Sequence, residues 1–258
     1  MTARSSIPTS KSNTAYIARA WDTHKELEET EKWGFYQFFY LTICGHIESI
    51  LSLVINARLS SIKNLIRWDN IPQRNCTENN ILTLYDQKIV VESLMKIISA
   101  IENETENAPL NKLIELYNTK IFDKKLSQLI GNELNEDLLA VASLRNLFSH
   151  GRDLFLDFKM NVDVDVDGNT SWVDGEIALD SNPLQKAFNR LYCANIIKKP
   201  SSFNLQNHDE LLRAFYNDDA FLYFYRAIQK IQGKLKNSIE FPPEKWTMHF
   251  VGLPDLEV

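Results

Sequence analysis

The sequence has little glycine and little proline, eight of each in 258 residues. That scarcity argues against a loop-rich or all-β protein, since tight turns draw heavily on both residues. Cysteine is scarcer still. Cys44, Cys76 and Cys193 stand far apart with no CxxC, so the expectation is reduced thiols in a reducing compartment rather than a disulfide framework. There is no excess of positive charge. The formal net charge is -6, which provides no global basic field for coating nucleic acid, so any polyanion site must be local. The chain lacks GxGxxG, GxxxxGK[ST], GxSxG and HExxH, which removes the common nucleotide loops, the hydrolase elbow and the zincin helix. His24, His208 and His249 have no partners at metal spacing. No cofactor is expected. No signal-peptide pattern is visible, and the expected location is cytoplasmic.

What is present is ordinary globular material, 44% hydrophobic and 24% charged, with enough apolar surface for a sizeable core. Helical periodicity runs over 15–31, 34–62, 81–102, 109–119, 133–150, 183–197 and 208–237. Pro72, Pro109, Pro183, Pro200, Pro242 and Pro254 fall where these patterns start or stop. Asn207 and Glu210 form a capping-box-like pair, and Pro183 suits a first helical position. The segment 66–80 reads as a loop. Residues 1–14 are polar and expected to be disordered. Nothing marks an interdomain linker, so a single helical domain over 15–258 is expected. The fold class is all-α, a helical bundle with an inserted β-hairpin near 155–179. Residues 35–55 have the length of a membrane span, but Gln37, His46, Glu48 and Ser49 interrupt them. A buried core helix and no membrane association are expected.

The hairpin segment departs from helical period. Val162, Val164 and Val166 alternate with Asp163, Asp165 and Asp167, and Asp167-Gly168-Asn169 is turn chemistry. The three aspartates and Gly168, with Asp174 at the twelfth position, also match the ligand spacing of an EF-hand loop. An EF-hand needs flanking helices, and these flanks alternate like strands. An acidic hairpin is therefore the expectation, with calcium at Asp163, Asp165 and Asp167 as the alternative.

The stretch LRNLFSHG, residues 144–151, is the most informative. On a helical wheel with Arg145 at zero, Ala140, Val141, Leu144, Leu147 and Phe148 fall in an arc of roughly 200° to 320°. Ser143, Arg145, Asn146, Ser149 and His150 fill the opposite arc, roughly 0° to 160°. The helix thus buries one stripe and turns Arg, Asn, Ser and His to the other side together. Basic residues in a last turn followed by Gly151 are also what an ordinary helix ending looks like.

Arg-polar-x3-His near the end of an amphipathic helix, here Arg145, Asn146 and His150, resembles the signature of the HEPN superfamily (higher eukaryotes and prokaryotes nucleotide-binding domain). The resemblance implies a metal-independent endoribonuclease acting as a homodimer, with two motif helices facing one composite cleft. It also implies a place in a toxin–antitoxin or antiphage system, with an antitoxin or defence partner protein. The acidic hairpin is not a general feature of that family, and some of its members lack nuclease activity. A catalytically inactive helical module that binds a nucleotide or a protein is the alternative.

The residue types suit the chemistry in their own right. Cleaving RNA without a metal uses the ribose 2′-OH as internal nucleophile. Histidine moves protons at neutral pH, and a guanidinium fork holds charge growing on phosphorus. A place at a helix C-terminus favours imidazolium. Asn146 can orient the phosphate or the imidazole. Glu48, a carboxylate in the most apolar helix, and Ser149 are supporting candidates. Lys120, Lys124 and Lys125 precede the motif helix and are candidates for an RNA phosphate track, as are Lys198, Lys199, Lys230, Lys234 and Lys236. The aromatic run Phe215, Tyr216, Phe221, Tyr223, Phe224 and Tyr225 has the spacing of core or dimer interface, and aromatics of this kind can also stack bases.

Overall fold

The computed structural model describes residues 10–66, 81–150, 158–177, 183–198, 213–238 and 252–256. Within them the protein is mostly helical, all-α in character. Helix α1 spans Ser10–His24, α2 Glu29–Ile66 and α3 Ile81–Glu106. Helix α4 covers Leu110–Leu116 and continues into a π-helical turn at Tyr117–Ile121. Helices α5 and α6 follow at Leu126–Ile130 and Asn132–His150. Strands β1, Phe158–Val164, and β2, Thr170–Ile177, pair antiparallel. Helices α7, Pro183–Cys193, and α8, Asp218–Ser238, complete the order.

The chain divides into two compact units. One comprises Met1–Ile47 and Ser127–Val258, the other Glu48–Leu126. No linker signal exists because the boundary falls inside a continuous helix, α2. By length and composition α2 could cross a membrane, yet 56% of its most apolar window is buried inside the protein.

The first unit is built around aromatic rings. Trp21, Phe39, Tyr40, Phe221 and Tyr225 are all at most 1% exposed. Phe221 lies 4.9 Å from Phe39 and 5.3 Å from Trp21, centroid to centroid. Each such ring contributes about 1.5–3 kcal/mol by leaving water. The second unit buries Leu51, Val54, Ile55, Leu59, Leu110, Leu113 and Leu116. There Tyr117 stacks on Phe122 at 4.2 Å, Lys63 pairs with Glu102, and Asn118 Oδ1 accepts the Leu126 N–H at 2.7 Å.

Several helix ends differ from expectation, each for a local reason. Helix α1 begins at Ser10, inside the segment expected to be disordered; residues 1–9 lie outside the described residues. The break between α1 and α2 falls at residues 25–28, where Glu31 accepts the Glu28 N–H at 3.3 Å as half of a capping box. Helix α7 stops at Cys193 rather than 197. Asn195 turns left-handed at φ 57, and the Asn195 and Ile196 N–H groups bond back to Tyr192 and Leu191, a Schellman ending. The helix expected over 208–237 is interrupted at Ala214–Asn217. Asn217 Oδ1 accepts the Ala220 N–H at 2.9 Å, with Asp218 and Asp219 in the first turn of α8. Asn207 and Glu210 lie outside the described residues.

In the hairpin, Gly168 N–H bonds to the Asp165 carbonyl at 3.1 Å, and Asp165 N–H bonds to the Asn169 carbonyl at 3.0 Å. Gly168 has φ 82, which a side chain would disfavour. This is a three-residue turn closed by a left-handed glycine. A bulge between Asn161 and Val162 shifts the register, so that Asn161 faces Asp174 and Val162 faces Trp172.

Candidate functional site

Helix α6 carries the motif, and its placement follows from its two faces. Leu138, Val141 and Leu144 are fully buried, and Ala140 and Ala142 nearly so. Leu147 and Phe148 are half-buried. Along the other edge Asn146 and Ser149 are exposed and Arg145 is half-exposed. Arg145 Nη1 donates to Asn146 Oδ1 at 3.2 Å, and Ser149 Oγ donates to the Asn146 carbonyl at 3.3 Å. His150 is the last residue of the helix, one turn beyond Asn146; its side chain and Gly151 lie outside the described residues. Arg145, Asn146 and Ser149 are thus brought together on one accessible edge.

The beginning of the same helix is locked into the first unit. Arg190 of α7 donates from Nε to Asp137 Oδ1 at 2.7 Å, from Nη1 to Glu136 at 3.2 Å and from Nη2 to the Tyr223 hydroxyl at 3.3 Å. Tyr223 of α8 donates to the same Asp137 oxygen at 3.0 Å. Asp137 is 4% exposed, and these donors satisfy its buried carboxylate. The hydrogen bond to Asp137 raises the Arg190 pKa, and burial beside Asp137 pushes the Tyr223 hydroxyl up to about 12. Three helices are pinned together here, which fixes α6 before it reaches Arg145.

Other expected site residues have different positions. Glu48 accepts the Leu110 N–H at 2.9 Å. It supplies the acceptor that Pro109, at the N-cap of α4, cannot, which is a structural task in the second unit. Lys124 and Lys125 are exposed in that unit, and the side chain of Lys120 lies outside the described residues. Lys234 donates to the Ile130 carbonyl at 2.6 Å, closing the end of α5, where Gly131 has φ 93.

The flanks of the three aspartates are strands rather than the helices that the calcium alternative needs, and Asp165 directs its carboxylate at the turn. Its Oδ1 accepts the Asp167 and Asn169 N–H groups at 2.9 and 2.8 Å, and Oδ2 accepts Asn169 Nδ2 at 3.1 Å. The bonds from Asn169 hold its pKa below the ordinary carboxylate value. Asp167 is exposed, and the Asp163 side chain lies outside the described residues. Among the described residues no group of three metal-ligating side chains converges.

Two arrangements in the first unit were not assembled from the sequence. His24, fully buried, places Nε2 2.9 Å from Asp218 Oδ1, and Tyr36 donates to that oxygen at 2.6 Å. Nδ1 of His24 meets the Trp21 carbonyl. This buried histidine ties the end of α1 to the start of α8. The second is aromatic. Phe148 of the motif helix lies 5.7 Å from Tyr216, which stacks on Trp33 at 5.3 Å and 11°. Tyr216 lies in the flagged aromatic run; Trp33 gave no signal because the expected break between helices fell on it. No protein-family model, curated protein or solved structure matches the chain.

Proposed function

We propose that this protein is a HEPN-like, metal-independent endoribonuclease, cytoplasmic and homodimeric, that serves as a toxin or antiphage effector with an antitoxin or defence partner. The observation that carries this reading is the accessible, hydrogen-bonded Arg145–Asn146 pair, one turn before His150, on a helix whose other stripe is buried.

The chemistry follows from those groups. The RNA 2′-OH attacks the adjacent phosphorus and the P–O5′ bond breaks, leaving a 2′,3′-cyclic phosphate and a 5′-hydroxyl. One proton leaves the 2′-oxygen and one reaches the 5′-oxygen. The Arg145 guanidinium stabilises the charge that builds on the non-bridging oxygens. Asn146 fixes the direction of the guanidinium through its side-chain oxygen. His150 carries a proton. A single chain supplies one motif histidine, whereas two chains supply one to accept the proton and one to donate it, which is the reason for a dimer.

The test is bacterial growth and total RNA after induction of wild type, Arg145→Ala and His150→Ala, together with purified protein and RNA in EDTA. Growth arrest with discrete RNA fragments in wild type alone, and EDTA-resistant cleavage, are the expected results. Equal toxicity and equal RNA decay in all three would sink the reading.

A further inference from the structure

The aromatic ladder beside the motif grades from core to surface. Tyr40 is fully buried and lies 5.6 Å from Phe148. Phe148 meets Tyr216, and Tyr216 stacks on Trp33 with nearly parallel rings. Phe148, Tyr216 and Trp33 are half-exposed, while their neighbours Phe215, Phe221, Phe224 and Tyr225 are at most 1% exposed. Rings that served only the core would be buried like those neighbours. The outer rings are also held in place. Gln37, one turn after Trp33 on α2, donates to the Tyr216 hydroxyl at 3.1 Å, and Tyr40 donates to the Phe215 carbonyl at 3.2 Å. A stack rooted in the core and open at its outer end is a preorganised surface for another flat ring.

Basic and acidic residues both border it. Arg145 is three residues before Phe148, so it borders the ladder on the same helix. Lys32 adjoins Trp33, and Arg213, whose carbonyl accepts the Tyr216 N–H, is exposed and paired with Glu29 at 3.2 Å. The nearby acids are Glu29, paired with Arg213, Asp218, held by His24 and Tyr36, and the exposed Glu31 and Asp219. Burial raises the Tyr216 hydroxyl pKa, so that ring stays neutral.

We infer that Trp33, Tyr216 and Phe148 form a stacking platform for an unpaired base of single-stranded RNA, next to the phosphate held by Arg145. The substrate class rests on the ribonuclease reading above; the platform itself rests on the ladder. It sets a preference for unpaired RNA, because a base inside a duplex cannot reach the rings.

The test measures binding of the full-length protein to two uncleavable 2′-O-methyl strands of equal length, an oligoadenylate and its abasic counterpart, by fluorescence anisotropy. Wild type is expected to bind the base-bearing strand about tenfold more tightly. Trp33→Leu and Tyr216→Leu each erase most of that preference and leave abasic binding unchanged. Trp33→Phe, which keeps a ring, retains it. Equal binding of the two strands by wild type, binding of neither, or a preference that survives both leucine variants overturns the platform. RNA cleavage read in parallel separates the two ideas. Base preference with Arg145-independent RNA decay removes the nuclease and leaves the platform, and cleavage without base preference does the reverse.

Discussion

Helix α6 holds two arginine-centred clusters, and they differ in how their polar groups are used. Near its start, Arg190 reaches in from α7 and binds Asp137, Glu136 and Tyr223, so that a buried carboxylate is met by donors from two other helices. Near its end, Arg145 binds Asn146, its neighbour on the same helix, at an edge open to solvent. Local bonds at an exposed edge do little to hold a fold, whereas a donor set around a buried charge is costly to break. The first cluster positions the helix, and in the proposed function the second presents the groups that meet RNA.

The sharpest way to break that contrast is to remove each arginine cluster in turn. Arg145→Ala is expected to lower RNA cleavage about a hundredfold or more while leaving stability within about 0.5 kcal/mol of wild type. Cleavage rates and thermal melts on the same preparation check this, and a large loss of stability would mean that Arg145 holds the fold. Asp137→Ala should do the opposite, costing about 2–3 kcal/mol because Arg190 and Tyr223 lose their shared acceptor. Denaturant titration measures it; a loss below about 0.5 kcal/mol would show that the lock is ornamental.

Two smaller effects sharpen the comparison. Asn217→Ala removes the cap of α8, the helix that supplies Tyr223, and should cost about 1 kcal/mol in a urea melt. His46 is a buried polar group without such a donor set. Its Nε2 meets Gln232 at 3.4 Å, its Nδ1 has no partner among the described residues, and burial lowers its pKa below the ordinary 6.5. The folded state then binds fewer protons than the unfolded one below that pH, so stability falls as the solution is acidified past about 6.5. Melting temperature against pH should flatten in His46→Leu, and an unchanged slope would exclude His46 as the source.

Helix α6 was legible because its signals were local. Expected over 133–150 and found at Asn132–His150, it has an apolar stripe that the wheel identifies, with Gly131 just before it. The division between α1 and α2 was not legible. Gly34 looks like a breaker, yet no atom crowds it inside α2, and the true start is capped by Glu31 on Glu28, a less common pair than Ser or Asn. The start of α8 was written in Asn217-Asp218-Asp219, but amphipathic period runs on through it and hid the cap. Arg190 and Asp137 are 53 residues apart, and no one-dimensional pattern couples them. The bond from the Leu110 N–H to Glu48 was not legible for a similar reason, since its donor is backbone and carries no side-chain signal.

The continuity of α2 through the boundary at Ile47 and Glu48 has a consequence for dynamics. A helix is one ladder of i to i−4 bonds, so amides on either side of that boundary are linked by bonds that cross it. Fraying of the ladder near that boundary is not stopped by a loop. Hydrogen–deuterium exchange along Glu29–Ile66 should therefore change smoothly through residues 44–52, with no step.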